Sequence, residues 1–387
     1  MMRADRFNPF PGLRSFEPDE DHLFFGREKQ IEELLRRLRH TRFLSVVGAS
    51  GTGKSSLVRS GLIPSLYGGY MVKAGSTWRV ELLRPGGDPI GNLAAALDAP
   101  GVLDSPSSGG LNRPLLEATL RRSALGLSDA IKNAHIPPTD NLLVVVDQFE
   151  ELFRFKQAAE GAHARDESVG FVKLLLEGAQ QGDQRLYVVL TMRSEFIGHC
   201  TEFPGLAEAA NEGQYLIPRM TRDEVRLAIT GPVAVGGGEI APRLVTRLLN
   251  DVGDHADQLP ILQHALMRTW NHWEQHSRDG HPIDLQDYEA IGTMTDALSR
   301  HAEEAYGELT TERSRQIAER VFKALTETNA ESVGLRRPCS VGELCQITGA
   351  TPGEVVDVID RFRAPGRSFL MPPIGGPHCK VAEYIPF

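Results

Sequence analysis

The sequence predicts an α/β fold with a parallel sheet, followed by an all-α lid domain and a partial winged-helix domain. Three stretches carry this prediction: an apolar run with a glycine-rich turn and a helix (43–66), an apolar run that ends in an aspartate (142–147), and a helical region from residue 241 onward. Buried parallel strands have short continuous apolar runs, whereas helices repeat apolar residues three and four positions apart.

Composition narrows the class of protein. The 387 residues exceed one ordinary domain, and the 41% hydrophobic and 24% charged content is typical of a soluble globular chain. No apolar run approaches the roughly 20 residues of a membrane-spanning helix, so we expect no membrane partner. A net charge of −9 argues against a nucleic-acid partner. Four cysteines without a C-x-x-C pair, and no secretory signal, favour free thiols in the cytoplasm.

The first apolar run, 43–47, leads into the spacing G-x-x-x-x-G-K-S, which is that of a P-loop. Glycines let backbone N–H groups surround a phosphate, and the following helix N-terminus adds partial positive charge. Lys54 is expected to reach the β- and γ-phosphates, and Ser55 to bind Mg²⁺. The predicted phosphate-binding residues are Gly48, Ser50, Gly51, Thr52, Gly53, Lys54, Ser55 and Ser56.

The second apolar run ends in Asp147, at the carboxyl edge of the predicted sheet, where ligands of open α/β sheets bind. Asp147 is therefore expected to hold Mg²⁺ through water. In many P-loop ATPases the acid that activates water comes directly afterwards, but Gln148 occupies that position here. Glu150 and Glu151 are the nearest candidates, and Glu150 is favoured; alternatively, both begin a solvated helix, and hydrolysis is then slow.

Further elements are expected around these runs. We predict strands at Trp78–Leu83, Leu186–Thr191 and Tyr215–Pro218, a helix at Leu115–Asn133 and a polar linker at Lys156–Ser168. Arg193 follows the 186–191 strand and could contact the γ-phosphate at the same edge; the alternative is a pair with Glu195 or Glu202. Aromatic residues and prolines within 7–26 indicate an extended arm that either packs on the core or contributes to a base pocket.

The N-terminal motifs carry a resemblance. Asn8-Pro-Phe-Pro-Gly-Leu-Arg-Ser-Phe16, then Phe24-Phe-Gly-Arg-Glu28, and then the P-loop resemble the novel-STAND family of bacterial signal-transduction ATPases. The resemblance implies that Phe25, Gly26 and Arg27 cover the adenine of ATP or ADP. It also assigns a γ-phosphate sensor role to Arg193. Pro260 would contact the nucleotide from the helical domain, although Gln258 replaces the glycine of the family's Gly-x-Pro motif.

The resemblance also implies a function. It predicts a slow ATPase that acts as a molecular switch, in which ATP or ADP with Mg²⁺ gates self-association in bacterial stress or anti-phage signalling. The sequence departs from the family after Pro373: a second wing strand and the family's histidine motif are not recognisable, and His378 is not convincingly that histidine. The effector or sensor modules would then lie on another chain or be missing through truncation.

The predicted domains are an ATPase domain with the N-terminal arm (1–235), a small helical lid (236–308) and an incomplete winged helix (309–387). Two other functions stay open. One is an initiator-like ATPase that binds DNA through the winged helix; acidic residues in the predicted third helix, 351–363, argue against it. The other is a nucleotide-binding scaffold without turnover, which Gln148 makes plausible.

Overall fold

The computed structural model describes residues 6–71, 77–103, 112–134, 136–158, 162–180, 185–253, 258–276, 281–327, 335–336, 339–371 and 381–384. These residues form two compact units. The first unit is Phe16–Thr221, and the second contains the described residues of Met1–Ser15 and Arg222–Phe387. The three-domain division expected from the sequence has other boundaries and stays a prediction.

The first unit is built on a five-stranded sheet in which neighbouring strands are all parallel, in the order β2-β3-β4-β1-β5. Its strands are β1 (Phe43–Gly48), β2 (Trp78–Leu83), β3 (Asn141–Val146), β4 (Leu186–Arg193) and β5 (Gln214–Leu216). The predicted α/β core with a parallel sheet is confirmed. The carboxyl ends of β1, β3 and β4 meet at one edge, because Gly48 pairs with Arg193 and Val146 with Leu190.

Helices cover both faces of this sheet. Alternate strand residues point to opposite faces, so Phe43 and Val47 join one apolar cluster while Leu44 and Val46 join the other. The α-helices of this unit are α1 (Glu28–Thr41), α2 (Lys54–Ser56), α3 (Ile63–Tyr67), α4 (Pro89–Leu97), α5 (Arg113–Arg122), α6 (Gly126–Ala134), α7 (Glu150–Ala158), α8 (Ala162–Gln180) and α9 (Leu206–Gly213). Pro18–Leu23 and Ser194–Glu202 are 3₁₀ helices.

Two local predictions in this unit are wrong. The single helix expected at Leu115–Asn133 is two helices, α5 and α6, and the corner needs a glycine. A Cβ on Gly126 would lie 2.4 Å from the Thr119 carbonyl oxygen, a contact that no periodicity reveals. The polar linker expected at Lys156–Ser168 is helical within its described residues, because its abundant Ala, Arg, Glu and Gln are good helix formers.

The second unit is mainly helical. Its helices are α10 (Arg222–Val235), α11 (Pro242–Val252), α12 (Leu259–His276), α13 (Leu285–Ala290), α14 (Thr293–Gly307), α15 (Glu312–Leu325), α16 (Val341–Thr348) and α17 (Pro352–Phe362). The described N-terminal residues belong here. The Asn8 amide donates to the Met267 carbonyl at 2.9 Å, and the Gln263 amide donates to the Gly12 carbonyl at 2.7 Å. The arm up to residue 15 therefore packs on α12.

Short strands complete this unit: β6 (Thr326–Glu327), β7 (Leu335–Arg336), β8 (Cys339–Ser340), β9 (Leu370–Met371) and β10 (Val381–Tyr384). A strand follows Met371 in a stretch where the sequence analysis recognised none, and the winged helix itself stays a prediction. β10 is antiparallel to both β8 and β9, and only this tertiary pairing defines a four-residue strand. His378 lies outside the described residues. Within those residues, no helix has the length and apolarity to cross a membrane.

Candidate functional site

The turn after β1 has the conformation of a phosphate-binding loop. Gly51 and Gly53 have φ values of +73° and +83°, a left-handed conformation that glycine adopts at little cost. A Cβ on Gly48 would lie 2.8 Å from the Thr52 hydroxyl oxygen, and that hydroxyl donates to the Ala49 carbonyl at 2.9 Å. The glycines of the motif therefore meet the backbone requirements of a tight loop.

Lys54 folds back over this loop. Its Nζ donates to the carbonyl oxygens of Gly48 at 3.0 Å and of Ala49 at 2.8 Å. Burial lowers the pKa of the Lys54 ammonium, and the nearby Glu150 carboxylate opposes that shift. A partly buried ammonium next to the loop is suited to bind phosphate oxygens, because water screens its charge less than on an open surface.

Asp147 is buried directly after β3 and is surrounded by hydroxyl groups. Its Oδ1 accepts hydrogen bonds from Ser55 Oγ at 2.8 Å and from Thr191 Oγ1 at 2.5 Å. Mg²⁺ prefers oxygen ligands and usually binds through one or two carboxylates together with phosphates and water. The Ser55 hydroxyl and the Asp147 carboxylate, two oxygen donors beside the P-loop, fit that requirement.

The two candidate water-activating acids have different partners. Glu150 Oε2 accepts the backbone N–H of Arg193 at 3.3 Å, so it lies at the carboxyl edge of the sheet. Burial raises the pKa of Glu150, while Lys54 and Arg193 act in the opposite direction. Glu151 Oε2 instead accepts the N–H of Gly86, at 3.1 Å, in the turn after β2. Glu150 is thus the acid at the edge, and Glu151 holds a neighbouring turn.

Arg193 ends β4 and pairs with Glu195, with Nη2 and Oε1 2.6 Å apart. This is the ion pair that the sequence offered as the alternative to γ-phosphate sensing. The position of Arg193 beside Gly48 in the sheet register keeps it next to the P-loop. The sensor role itself stays a prediction.

The predicted adenine-pocket residues precede α1. Arg27 is buried, and its guanidinium donates to the carbonyl oxygens of Pro218 at 2.9 Å and of Thr52 at 3.2 Å. It therefore joins the P-loop to the segment after β5. Gly26 has a φ of +84°, and Phe25 is half-buried. Contact of these residues with adenine stays a prediction.

The remaining predicted residues lie in different surroundings. Ser56 is buried, and its hydroxyl accepts the N–H of Phe16 at 3.3 Å, whereas Ser50 is exposed in the loop. Pro260 lies in the first turn of α12, in the second unit. Its proposed contact with nucleotide is a prediction from the resemblance.

The chain matches, over residues 9–371, a protein-family model described as Novel STAND NTPase 1 (nSTAND1). The chain belongs to the nSTAND1 family. The resemblance noted in the N-terminal motifs and the P-loop is therefore confirmed, and the chain is a P-loop NTPase. No curated protein gives a significant match.

Solved structures give distant similarities. The ORC2 protein of Aeropyrum pernix in ADPNP–ADP complexes is 13% identical, with 93% of this chain and 89% of that chain covered and a TM-score of 0.49. The ORC1 protein of Aeropyrum pernix in complex with DNA is 14% identical, with coverage of 94% and 90% and a TM-score of 0.48. These values are too low to transfer an activity.

Two residues of this nSTAND1 site escaped the sequence analysis. Thr191 was placed in a strand but not in the site, although β4 lies next to β3 and its hydroxyl reaches Asp147. Arg59 Nη2 lies 3.5 Å from Asp147 Oδ2. Its sequence signal was the spacing of four residues from Ser55, which puts both on one face of a helix.

Proposed function

We propose that this protein is an ATP-binding switch that hydrolyses ATP slowly. The observation that carries the proposal is the contact between Ser55 and Asp147, 2.8 Å apart, beside a P-loop whose two carbonyl oxygens are bonded by the Lys54 ammonium. A phosphate-binding lysine and two oxygen donors for Mg²⁺ at one sheet edge are the requirements for binding a nucleoside triphosphate.

The residues would act as follows. Lys54 exchanges the carbonyl oxygens of Gly48 and Ala49 for the β- and γ-phosphates. Ser55 and Asp147 would hold Mg²⁺, and the bound ion would supply positive charge to the phosphate oxygens. Phe25 and the backbone around Gly26 cover the adenine, as the family resemblance implies.

Hydrolysis is assigned to Glu150. The oxygen of a water molecule forms a bond to the γ-phosphorus, the bond from that phosphorus to the β-phosphate oxygen breaks, and Glu150 accepts the proton from water. The raised pKa of Glu150 supports a role as base, because a carboxylate with an ordinary pKa is a weak base at neutral pH. Arg193 would leave Glu195 to stabilise the charge on the γ-phosphate.

The switch component of the proposal rests on the family resemblance. In the ATP state, contacts of Arg193 and Pro260 with the γ-phosphate side of the nucleotide would favour self-association, and the ADP state would disfavour it. Stress or anti-phage signalling is the proposed setting, with effector or sensor modules acting in trans.

The test is the nucleotide carried by the purified protein, together with its size distribution in ATP and in ADP and its rate of phosphate release. We expect bound ADP or ATP, slow turnover and larger particles in ATP than in ADP. Bound ATP with phosphate release at background would favour a scaffold and reject the hydrolysis proposal. Absence of nucleotide binding would reject the proposed function as a whole.

DNA binding through the region 309–387 is less well supported. In α17, Glu354 pairs with Arg313 at 3.3 Å and Asp360 pairs with Arg363 at 2.5 Å. Basic side chains engaged with carboxylates on the same surface are a poor footprint for duplex DNA. Salt-dependent binding of a duplex by the purified protein would favour the initiator-like alternative.

A further inference from the structure

Arg59 connects the Asp147 carboxylate with a second acidic residue. It lies in a π-helical stretch, Leu57–Leu62, between α2 and α3, and π-helical turns are often found at functional sites. Its Nη1 donates to both carboxylate oxygens of Glu17, at 2.7 and 3.0 Å, while its Nη2 lies 3.5 Å from Asp147 Oδ2. One guanidinium thus lies between two carboxylates and is hydrogen-bonded to Glu17.

Backbone hydrogen bonds attach Glu17 and its neighbour to the helical segment that carries Arg59. The Ser60 hydroxyl donates to the Glu17 carbonyl at 2.6 Å, and the neighbouring Phe16 N–H donates to Ser56 Oγ. The Glu17 carboxylate therefore has a defined position from which it can hold Arg59. None of its described contacts involves Asp147, Ser55 or Lys54.

The two oxygens of Asp147 have different partners. Oδ1 accepts the Ser55 and Thr191 hydroxyls, whereas Oδ2 faces Arg59. A cation or a metal-bound water that approaches Asp147 therefore shares Oδ2 with the guanidinium. The distance of 3.5 Å leaves this ion pair weaker than one at the usual charge-assisted length of about 2.8 Å.

We propose that Arg59 is a positioning residue that sets the Mg²⁺ requirement of the nucleotide site, and that Glu17 holds it back from Asp147. The proposal rests on the function proposed above, and it adds a regulatory pair that does not itself touch nucleotide. While Glu17 holds the guanidinium, Asp147 remains available to Mg²⁺. When that hold is lost, Arg59 moves onto Asp147 and competes with the metal for Oδ2.

The size of the expected change in the Mg²⁺ requirement follows from Coulomb's law. With an effective dielectric constant of about 20, shortening the contact from 3.5 Å to about 2.8 Å strengthens the ion pair by up to about sevenfold in equilibrium terms. The Arg59 side chain in this pair is 16% exposed, so solvent screening reduces this value. We therefore expect a three- to sevenfold effect.

The experiment measures ATP bound by the full chain during a Mg²⁺ titration, using equilibrium dialysis with labelled ATP. Glu17→Gln removes the charge with little change of shape. It should raise the Mg²⁺ concentration for half-maximal binding by about three- to sevenfold and leave binding in excess chelator unchanged. Glu33→Gln is the matched control, because Glu33 also bonds arginines, Arg36 and Arg37, but its described contacts include neither Arg59 nor Asp147.

The double variant tests whether the effect passes through Arg59. In an Arg59→Met background, Glu17→Gln should cause no further shift in the Mg²⁺ requirement. An equal shift in both backgrounds means that Glu17 acts through its own field, and it overturns the proposal. So does an unchanged requirement in Glu17→Gln when the wild type binds ATP in a Mg²⁺-dependent way. A wild type that binds no ATP instead contradicts the proposed function itself.

Discussion

Replacement of Lys54 by methionine removes the ammonium and keeps most of the side-chain volume. In the structure this ammonium bonds two carbonyl oxygens of the P-loop, so it can exchange them for phosphate oxygens without a large rearrangement. Hydrogen bonds to charged groups contribute about 1.5–3 kcal/mol each. Two such bonds correspond to a loss of about 10²- to 10⁴-fold in ATP affinity.

The fold should tolerate the same change. Methionine loses the two hydrogen bonds, but it also removes the cost of burying a cation, which is the main cause of the lowered Lys54 pKa. The Ala49 carbonyl keeps the Thr52 hydroxyl as a partner. We therefore expect the free energy of unfolding to change by about 1 kcal/mol or less.

The assay is isothermal titration of ATP into the folded variant, with urea unfolding as the stability measurement. Lys29→Met is the matched control, because Lys29 is exposed on α1 and should leave ATP affinity unchanged. A folded Lys54→Met protein whose ATP affinity stays within threefold of wild type would refute the assignment of Lys54.

Further predictions concern the acids and a buried histidine pair. Glu150→Gln should lower the rate of phosphate release by about 10²- to 10⁴-fold with ATP binding retained, while Glu151→Gln keeps most of the turnover; equal losses in both would contradict the assignment. The base must be ionised, and burial raises the pKa of Glu150 above the ordinary glutamate value of 4.5. The turnover of the wild type should therefore begin to fall at a pH above 4.5 as the pH is lowered. A turnover rate that stays constant down to pH 4.5 counts against Glu150 as the base. His264 and His301 lie 2.9 Å apart, and burial lowers their pKa values to about 4 and about 3 from 6.5. The neutral histidines contribute their full stabilisation above pH 6.5, and this contribution is lost as the pH falls towards 4. The free energy of unfolding, measured with urea, should therefore be lower at pH 5 than at pH 7 by about 2 kcal/mol for each histidine. In a His301→Gln variant, the free energy of unfolding should depend less steeply on pH.

The sheet and the P-loop could be predicted because their signals are local. The three strands β1, β3 and β4 are short, largely apolar runs, and the run before the P-loop ends at the glycine that begins the motif. The break between α5 and α6 could not be predicted, because it depends on the approach of Gly126 to the Thr119 carbonyl. The strand at 381–384 was missed for the same reason, since its pairing partners define it.

The site was predicted less completely than the fold. Lys54, Ser55 and Asp147 lie together because a motif and a strand end specify them. The role of Thr191 depends on which strand lies between β1 and β3, whereas Arg59 had a local signal in its spacing from Ser55. The sequence does not state that β4 occupies this place, and the order of strands is a tertiary property.

The conformation of Gln148 explains how a carboxylate lies at the sheet edge although the residue directly after Asp147 is not an acid. Its φ of +57° is a left-handed conformation that costs energy for a residue other than glycine. Two bonds to Thr191 hold this turn: the Gln148 N–H donates to the Thr191 hydroxyl at 3.0 Å, and the Phe149 N–H donates to its carbonyl oxygen at 2.9 Å. After the turn, Glu150 lies where the Arg193 N–H reaches its carboxylate. The same threonine hydroxyl donates to Asp147, so one residue of β4 positions both the expected metal-binding carboxylate and the turn that carries the proposed base. A glutamine directly after the aspartate is therefore compatible with hydrolysis, because the turn at Gln148 places the Glu150 carboxylate at the sheet edge.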